Sequence, residues 1–136
     1  DKKLKLYEPI EFVLEFLQDK LTFNPLPQKI ALHVTCSARK MDLTDKFVRL
    51  AQSCAREVVV PEEIYCCGFA GDRGFNYPEL NESALEGLKE QLLGCDAGYS
   101  TSKTCEIGLS LRGEIPYRSI LYLVDAATEP KQTLSD

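Results

Sequence analysis

The chain has 136 residues, of which 44% are hydrophobic, and a formal net charge of -5, so it is large and apolar enough for one globular domain. It contains no basic run and no basic stripe interleaved with aromatic residues, which argues against a nucleic-acid partner. No apolar stretch is long enough to span a bilayer and no signal peptide is recognisable, so we expect a cytoplasmic protein, with peripheral attachment to the inner membrane as the alternative.

The first half of the chain alternates helices with short apolar strands. Pro9 suits the first turn of an amphipathic helix, which we expect to end near Lys20. The elements predicted after it are a strand at residues 29–35, a helix at 41–56, a strand at 57–60 and a loop at 61–74.

The second half continues this alternation. Its predicted elements are a helix at residues 78–93, a strand at 97–101, a helix at 103–111 and a strand at 118–124. We assign residues 1–24 to an N-terminal helix and linker and residues 125–136 to a flexible tail. The alternation predicts a single α/β domain over residues 1–136, with three layers: a roughly four-stranded, mainly parallel sheet and helices on both faces.

Four of the six cysteines follow predicted strands. Cys36 follows the first strand, Cys66 and Cys67 lie in the loop after the second, and Cys105 lies in the first turn after the third. Because the carboxyl ends of parallel strands meet at one edge of a sheet, these thiols are expected to converge. Four thiolates are sufficient to hold Zn²⁺ or an iron–sulfur cluster.

The cysteines also allow other interpretations. Cys54 lies on the apolar face of a predicted helix and is expected to be a core residue. Cys95 precedes the third strand, at the opposite end from the other thiols, and is a weaker candidate for a fifth sulfur ligand. A secreted disulfide scaffold is disfavoured because nothing signals export, whereas a redox switch between Cys66 and Cys67 stays open.

Several residues near the thiols are candidates for supporting a bound group. Arg39, Arg73 and Lys103 would offset the negative charge of a thiolate site, although cations of this kind are usually just solvated. Gly68 would let the backbone approach a cofactor closely. His33 is either a satisfied core residue or a hydrogen-bond donor to a sulfur. No paired carboxylates and no nucleophile with a base are evident, so the chain alone is not expected to be a catalyst.

The pattern of Cys36, Cys66-Cys67-Gly68 and Cys105 resembles the cysteine-rich CCG domain. That domain occurs in the B subunit of heterodisulfide reductase, in the iron–sulfur subunit of glycolate oxidase and at the C-terminus of FAD-linked D-lactate dehydrogenases. The strings CCGFAGDRGFNYPEL and TSKTCEIGLS are most similar to the dehydrogenase version. The resemblance implies a C-terminal fragment of a larger flavoprotein. In that protein, electrons would pass from FAD, reduced by a D-2-hydroxy acid such as D-lactate, towards a quinone or cytochrome. Its implied partners are the flavin and ferredoxin-like domains of the parent chain.

One residue departs from this family pattern. Ser102 stands where heterodisulfide reductase relatives carry the first cysteine of a final C-x-x-C. The remaining four sulfurs imply a [4Fe–4S] cluster or zinc rather than a non-cubane cluster, with Ser102 as an oxygen ligand or as the N-cap of its helix. The alternatives are a non-catalytic zinc module that organises the parent enzyme or binds a partner, and a thiol–disulfide domain that uses Cys66 and Cys67.

Overall fold

The computed structural model describes residues 3–132 and has seven helices and six strands in that range. The strands are β1 (Leu21–Phe23), β2 (Leu26–Leu32), β3 (Ala55–Val59), β4 (Ala97–Ser100), β5 (Tyr117–Ser119) and β6 (Thr128–Pro130). The helices are α1 (Pro9–Phe12), α2 (Cys36–Lys40), α3 (Thr44–Cys54), α4 (Pro78–Ala84), α5 (Leu88–Gln91), α6 (Lys103–Gly113) and α7 (Ile120–Ala127).

Four of the strands form a parallel sheet in the order β3-β2-β4-β5. Helices pack on both faces of this sheet, which confirms the predicted α/β class with three layers. Nowhere in residues 3–132 is a helix both long enough and apolar enough to cross a membrane.

One face of the sheet, called here the apolar face, packs against α1, α3 and α7. Helix α3 buries residues spaced three and four positions apart, which is the period of an amphipathic helix. Helix α7 does the same. The buried residues of these two helices are Phe47, Leu50, Ala51, Cys54, Ile120, Leu123, Val124 and Ala127.

The other face, called here the cysteine face, packs against the long loop after β3 and against α4, α5 and α6. Its buried cluster contains two cysteines in addition to aliphatic and aromatic residues. The members are Ala31, Ile64, Cys67, Phe69, Leu85, Leu88, Leu92, Cys105, Leu109 and Tyr117.

The C-terminal part differs from the prediction. The expected strand at residues 118–124 is a short strand followed at once by helix α7. Ser119 starts the helix, because its hydroxyl accepts a hydrogen bond from the backbone N–H of Leu121 at 3.3 Å. The apolar run at residues 120–124 suits a strand by itself, but its continuation to Ala127 has helical spacing.

Part of the segment predicted as a flexible tail has regular structure. Residues 125–127 belong to α7, and β6 pairs antiparallel with β1, a strand pair that the sequence did not predict. Residues 133–136 of that segment lie outside the described part of the chain.

The remaining differences concern helix boundaries. The N-terminal helix ends at Lys20 as predicted, but after α1 it continues as a π-helical turn and then a 3₁₀ turn. The predicted helix at 41–56 is α3, which begins at Thr44 and ends at Cys54, and the short helix α2 that precedes it was not predicted. The predicted helix at 78–93 is interrupted after Ala84, and Gly87, with a φ of 79°, occupies the N-cap position of α5.

Candidate metal centre

Four thiols from three separate loops line one cleft at the carboxyl end of the sheet. Cys36 is the first residue of α2, Cys66 and Cys67 lie in the loop after β3, and Cys105 is in the first turn of α6. The cleft has a volume of about 260 Å³. This is the edge at which the strand pattern places the thiols, so residues far apart in sequence share one site.

Thr35 fixes the position of Cys36. The side chain of Thr35 is buried and its Oγ1 accepts a hydrogen bond from the backbone N–H of Ala38 at 3.4 Å, which caps α2. The same oxygen lies 3.4 Å from Oγ1 of Thr101, at the end of the neighbouring strand β4. Cys36 is therefore held where the carboxyl ends of the adjacent strands β2 and β4 meet.

Cys67 and Cys105 form a buried pair. Their Sγ atoms are 2.8 Å apart, and the two side chains are 4% and 9% exposed. The hydrogen bond between these two sulfurs lowers the pKa of Cys67 to about 6, although burial acts in the opposite direction. The same hydrogen bond raises the pKa of Cys105, because losing its proton would place two thiolates side by side.

Cys36 and Cys66 form the exposed side of the site. The Cys36 thiol donates to the carbonyl of Tyr65 at 3.7 Å, and the backbone N–H of Gly68 donates to Cys66 Sγ at 3.3 Å. Partial burial, followed by the nearby Cys66 thiol, raises the pKa of Cys36. The site thus has a buried inner pair of sulfurs and an outer pair that faces solvent.

The loop that carries Cys66 and Cys67 is fastened to α4. Gly68 has a φ of 72°, and a Cβ at this position would overlap the backbone of Leu80 and Asn81. Asn81 Nδ2 donates a hydrogen bond to the carbonyl of Cys67 at 2.6 Å, and Arg112 Nε donates to Asn81 Oδ1 at 3.1 Å. These contacts hold Cys67 at a fixed distance from α4 and α6.

Asn81 is a site residue that the sequence pattern did not single out, although its position carries a signal. Asn81 lies four residues before Leu85 on the buried side of the predicted helix and is 1% exposed. A buried amide in an apolar stripe needs hydrogen-bond partners, which in this case are a backbone carbonyl of the cysteine loop and an arginine.

Arg39 links two of the thiol-bearing segments. Its Nε donates to the carbonyl of Val34 at 3.2 Å, and its guanidinium carbon lies 5.4 Å from the centre of the Tyr65 ring. Because Tyr65 precedes Cys66 and Val34 lies just before α2, this side chain joins the segments that carry the outer thiols.

The two other cations predicted to support the site, Lys103 and Arg73, differ from Arg39 in their contacts. Lys103 is paired with Glu106 at 3.4 Å, and its side chain is 82% exposed. Arg73 is exposed, in a 3₁₀ turn, and makes no side-chain hydrogen bond or ion pair within residues 3–132.

Ser102 lies in the cleft wall beside Cys105. It occupies the N-cap position of α6, but its side chain makes no capping hydrogen bond there. The Ser102 hydroxyl lies 3.4 Å from Oγ1 of Thr104, and its proximity to Cys105 partly offsets the rise in the pKa of that thiol. The Ser102 side chain is therefore directed towards the thiol site rather than towards the helix backbone.

Two of the three glycines that follow the double cysteine lie against other groups of the protein. Gly68 packs on α4, as described, and Gly74 packs against the ring of Phe69. Gly71 is the exception: it lines the cleft with a φ of 77° and has open space where a side chain would be.

The other cysteines and the histidine lie away from the cleft lining. Cys54 is part of the apolar face, where burial raises its pKa to about 11. Cys95 precedes β4, at the opposite end of that strand from the cleft. His33 is 3% exposed and directly follows β2, three residues before Cys36.

The donor set of the cleft suits a thiophilic metal. The polar side chains that the structure places in its wall are thiols and hydroxyls, and thiolates favour zinc and iron–sulfur clusters over hard cations. The cleft volume of about 260 Å³ far exceeds the ~10–15 Å³ of such volume that one water molecule needs, so it has room for a group of several atoms.

Binding a metal would require the inner thiols to rotate. Two sulfurs of a tetrahedral zinc site, each ~2.3 Å from the metal, are about 3.8 Å apart, whereas Cys67 and Cys105 are 2.8 Å apart. Within the described range, no group of three or more His, Cys, Asp or Glu side chains is already arranged to hold a metal ion. The residues thus fit the chemistry of a sulfur-ligated group after the inner pair separates.

Comparisons with known proteins give two kinds of similar protein. The chain is 26% identical over 115 residues to lactate utilization protein A 1 of Bacillus mycoides (strain KBAB4), covering 82% of this chain and 46% of that protein. It is 30% identical over 106 residues to the C subunit of anaerobic glycerol-3-phosphate dehydrogenase from Escherichia coli (strain K12), covering 71% of this chain and 26% of that protein. The chain therefore spans less than half the length of these curated relatives. No family model matches it, and no solved structure gives a significant match.

Proposed function

We propose that this chain is an iron–sulfur electron-transfer domain of a larger dehydrogenase, with Cys36, Cys66, Cys67 and Cys105 as ligands. The observation that carries the proposal is the cleft in which these four thiols meet without a competing carboxylate or imidazole in the described wall. Similarity to one protein named for lactate utilization and another named as part of a dehydrogenase supports an oxidoreductase context.

The arrangement of the thiols suits electron transfer. A bound cluster would supply one-electron chemistry at a potential that its ligands, hydrogen bonds and exposure set. Cys67 and Cys105 would anchor it on the buried side, and the exposed Cys36 and Cys66 would leave one edge open to a redox partner. Arg39 would place positive charge next to that edge.

The finer proposal concerns the parent protein. We propose a [4Fe–4S] cluster that receives electrons from FAD, reduced by D-lactate or a related D-2-hydroxy acid, and passes them towards a quinone or cytochrome. The flavin and ferredoxin-like domains would be the partners of this domain. The resemblance of residues 66–80 and 101–110 to the dehydrogenase form of the CCG domain supports this choice.

Metal and sulfide analysis of the anaerobically purified and reconstituted chain tests the proposal. We expect iron and acid-labile sulfide in similar amounts and a visible absorption that bleaches on reduction. Stoichiometric zinc in a colourless protein would instead support a structural or interaction module. A protein that binds neither metal after reconstitution would contradict both assignments.

One observation favours a second candidate, a dithiol redox site. The close pair is Cys67 and Cys105, not the adjacent Cys66 and Cys67 of the sequence-based alternative. A low-molecular-weight disulfide could oxidise these two thiols to one S–S bond, itself being reduced to two thiols. Thiol counting and peptide mapping of the metal-free chain after mild oxidation would detect a Cys67–Cys105 bond. The 4% exposure of Cys67 makes this role the weaker one.

A further inference from the structure

Unpartnered polar side chains lie in the interior on the cysteine face, and two of them, His33 and Ser100, are on neighbouring strands. Among the described residues, three buried side-chain atoms have no hydrogen-bond partner: His33 Nε2, Ser100 Oγ and the Tyr117 hydroxyl. His33 is 3% exposed and Ser100 is fully buried. Such groups are uncommon in folded proteins and usually indicate an internal water or a bound group.

The register of the sheet places His33 and Ser100 side by side. Leu32 in β2 pairs with Tyr99 in β4, and the backbone N–H of His33 donates to the carbonyl of Tyr99 at 2.9 Å. The next residues along the two strands, His33 and Ser100, therefore share one face. Because side chains alternate along a strand and Ala31 belongs to the cysteine face, that shared face is the cysteine face.

Both residues lie just below the floor of the cleft. Thr35 and Ser102 line the cleft and follow His33 and Ser100 by two residues each. Two strand residues rise about 7 Å, and neighbouring strands are about 4.8 Å apart. A single water on the cysteine face, between these two side chains, would thus be within reach of His33 Nε2 and Ser100 Oγ. It would lie between these atoms and the thiol site.

The chemistry of the pair suits such a water. Burial, and then the charge of Arg39, lowers the pKa of His33 to about 4, so the imidazole is neutral at physiological pH. A neutral imidazole has one donor and one acceptor nitrogen, and the Ser100 hydroxyl can donate and accept. Together they can orient a water so that one of its hydrogens points towards the cleft.

We propose that His33 and Ser100 bind an internal water beneath the cleft, and that this hydrogen-bonding site raises the reduction potential of the group held by the four cysteines. The proposal rests on the proposed electron-transfer function. A donor beside a cluster stabilises its more negative, reduced form, and such contacts are among the factors that set cluster potentials.

Potentiometry of reconstituted variants with equal iron content tests the effect on potential. We expect Ser100→Ala and His33→Phe to shift the midpoint potential to lower values. Tyr117→Phe is the matched control, because it removes another unpartnered buried hydroxyl whose ring lies over Gly98, nearer the amino end of β4. An unchanged potential in Ser100→Ala, or an equal shift in Tyr117→Phe, would overturn the proposal. Ser100→Ala removes a single oxygen atom, so it keeps the test valid if His33→Phe fails to fold.

Nitrogen-15 NMR of the metal-free chain tests the buried site separately. The chain has one histidine, so its imidazole signals need no assignment among several residues. We expect Nε2 to show the shift of a hydrogen-bonded nitrogen, and this shift to change in Ser100→Ala. A nitrogen without a hydrogen bond overturns the water site. A chain with a hydrogen-bonded Nε2 that takes up no iron instead overturns the proposed function and, with it, the tuning of potential.

Discussion

The two faces of the sheet differ in the packing and hydrogen-bonding requirements of their buried residues. The apolar face is filled by aliphatic and aromatic side chains and the isolated thiol of Cys54, which need only shape and hydrophobicity. The cysteine face buries two thiols, an amide and unpartnered polar atoms, and brings glycines against neighbouring groups. This difference indicates that one face mainly stabilises the fold, whereas the other also forms the cleft that the four thiols line.

The largest effect is expected on the apolar face. Phe47 is fully buried there, and Phe47→Ala should lower the free energy of unfolding by about 3–5 kcal/mol through lost burial and a residual cavity. Chemical denaturation measures this loss. The control is Phe75→Ala, since Phe75 is 61% exposed and its loss should cost less than about 1 kcal/mol. Equal losses in the two variants would contradict the assignment of the core.

His33 should make stability depend on pH. Its folded pKa of about 4 lies below its ordinary value of 6.5 because burial, and then Arg39, disfavours the imidazolium. Between these values the unfolded chain binds more protons, so stability is complete above pH 6.5 and falls as the pH drops to 4. The contribution is about 3 kcal/mol.

Denaturant unfolding at several pH values, compared with His33→Gln, isolates this contribution, because carboxylates titrate in both proteins. The difference in unfolding free energy should rise in favour of the native chain between pH 4 and 6.5. A constant difference across that range would show that His33 is not buried in its neutral form.

Substitution of Gly68 tests whether the loop that carries Cys66 and Cys67 packs closely against α4. Gly68→Ala should cost about 2–3 kcal/mol, because a positive φ and a clash with the backbone of Leu80 and Asn81 act together. Gly71→Ala is the matched control. Gly71 has a similar φ but open space around it, so only the conformational cost of about 1 kcal/mol should appear. Unfolding measurements in which both variants lose the same stability would argue against tight packing at Gly68.

Asn81→Ala tests whether the hydrogen bond from the Asn81 side chain holds the backbone of Cys67 in position. We expect a loss of about 2 kcal/mol, because the Cys67 carbonyl and Arg112 both lose a buried partner. The metal affinity of the reconstituted site should fall as well, since the loop that carries two ligands is less fixed. Asn76→Ala, at an exposed position in the same region, should change neither quantity. Competition with a chelator measures the affinity, and an unchanged value in Asn81→Ala would contradict this role.

The fold class could be predicted from the sequence because its main helices and strands have local patterns of apolar residues. The helical spacing of α3 and the short β-type runs of β2, β3 and β4 indicate these elements to within a few residues, and the parallel sheet follows from the alternation. The prediction of a strand at residues 120–124 is wrong because a short apolar run suits a strand or a buried helix equally. The pairing of β1 with β6 could not be predicted because it joins segments over 100 residues apart.

For the candidate site, the sequence predicted which four thiols line the cleft but not which of them are paired. Strand ends indicated that Cys36, Cys66, Cys67 and Cys105 belong together, because parallel strands end at one edge. Which thiols pair depends on side-chain placement, so the buried contact between Cys67 and Cys105 could not be derived. The partners of Asn81 and the unpartnered Ser100 likewise depend on packing between segments that are distant in the chain.

The most direct test of the central claim is the iron content of a cysteine series after anaerobic reconstitution. We predict that Cys36→Ser, Cys67→Ser and Cys105→Ser each lose most of the bound iron and sulfide. The control variant, Cys95→Ser, should retain both, because Cys95 lies outside the cleft at the other end of β4. Iron that stays bound in all three cleft variants, or that is lost equally in Cys95→Ser, would contradict a single site built from these four thiols.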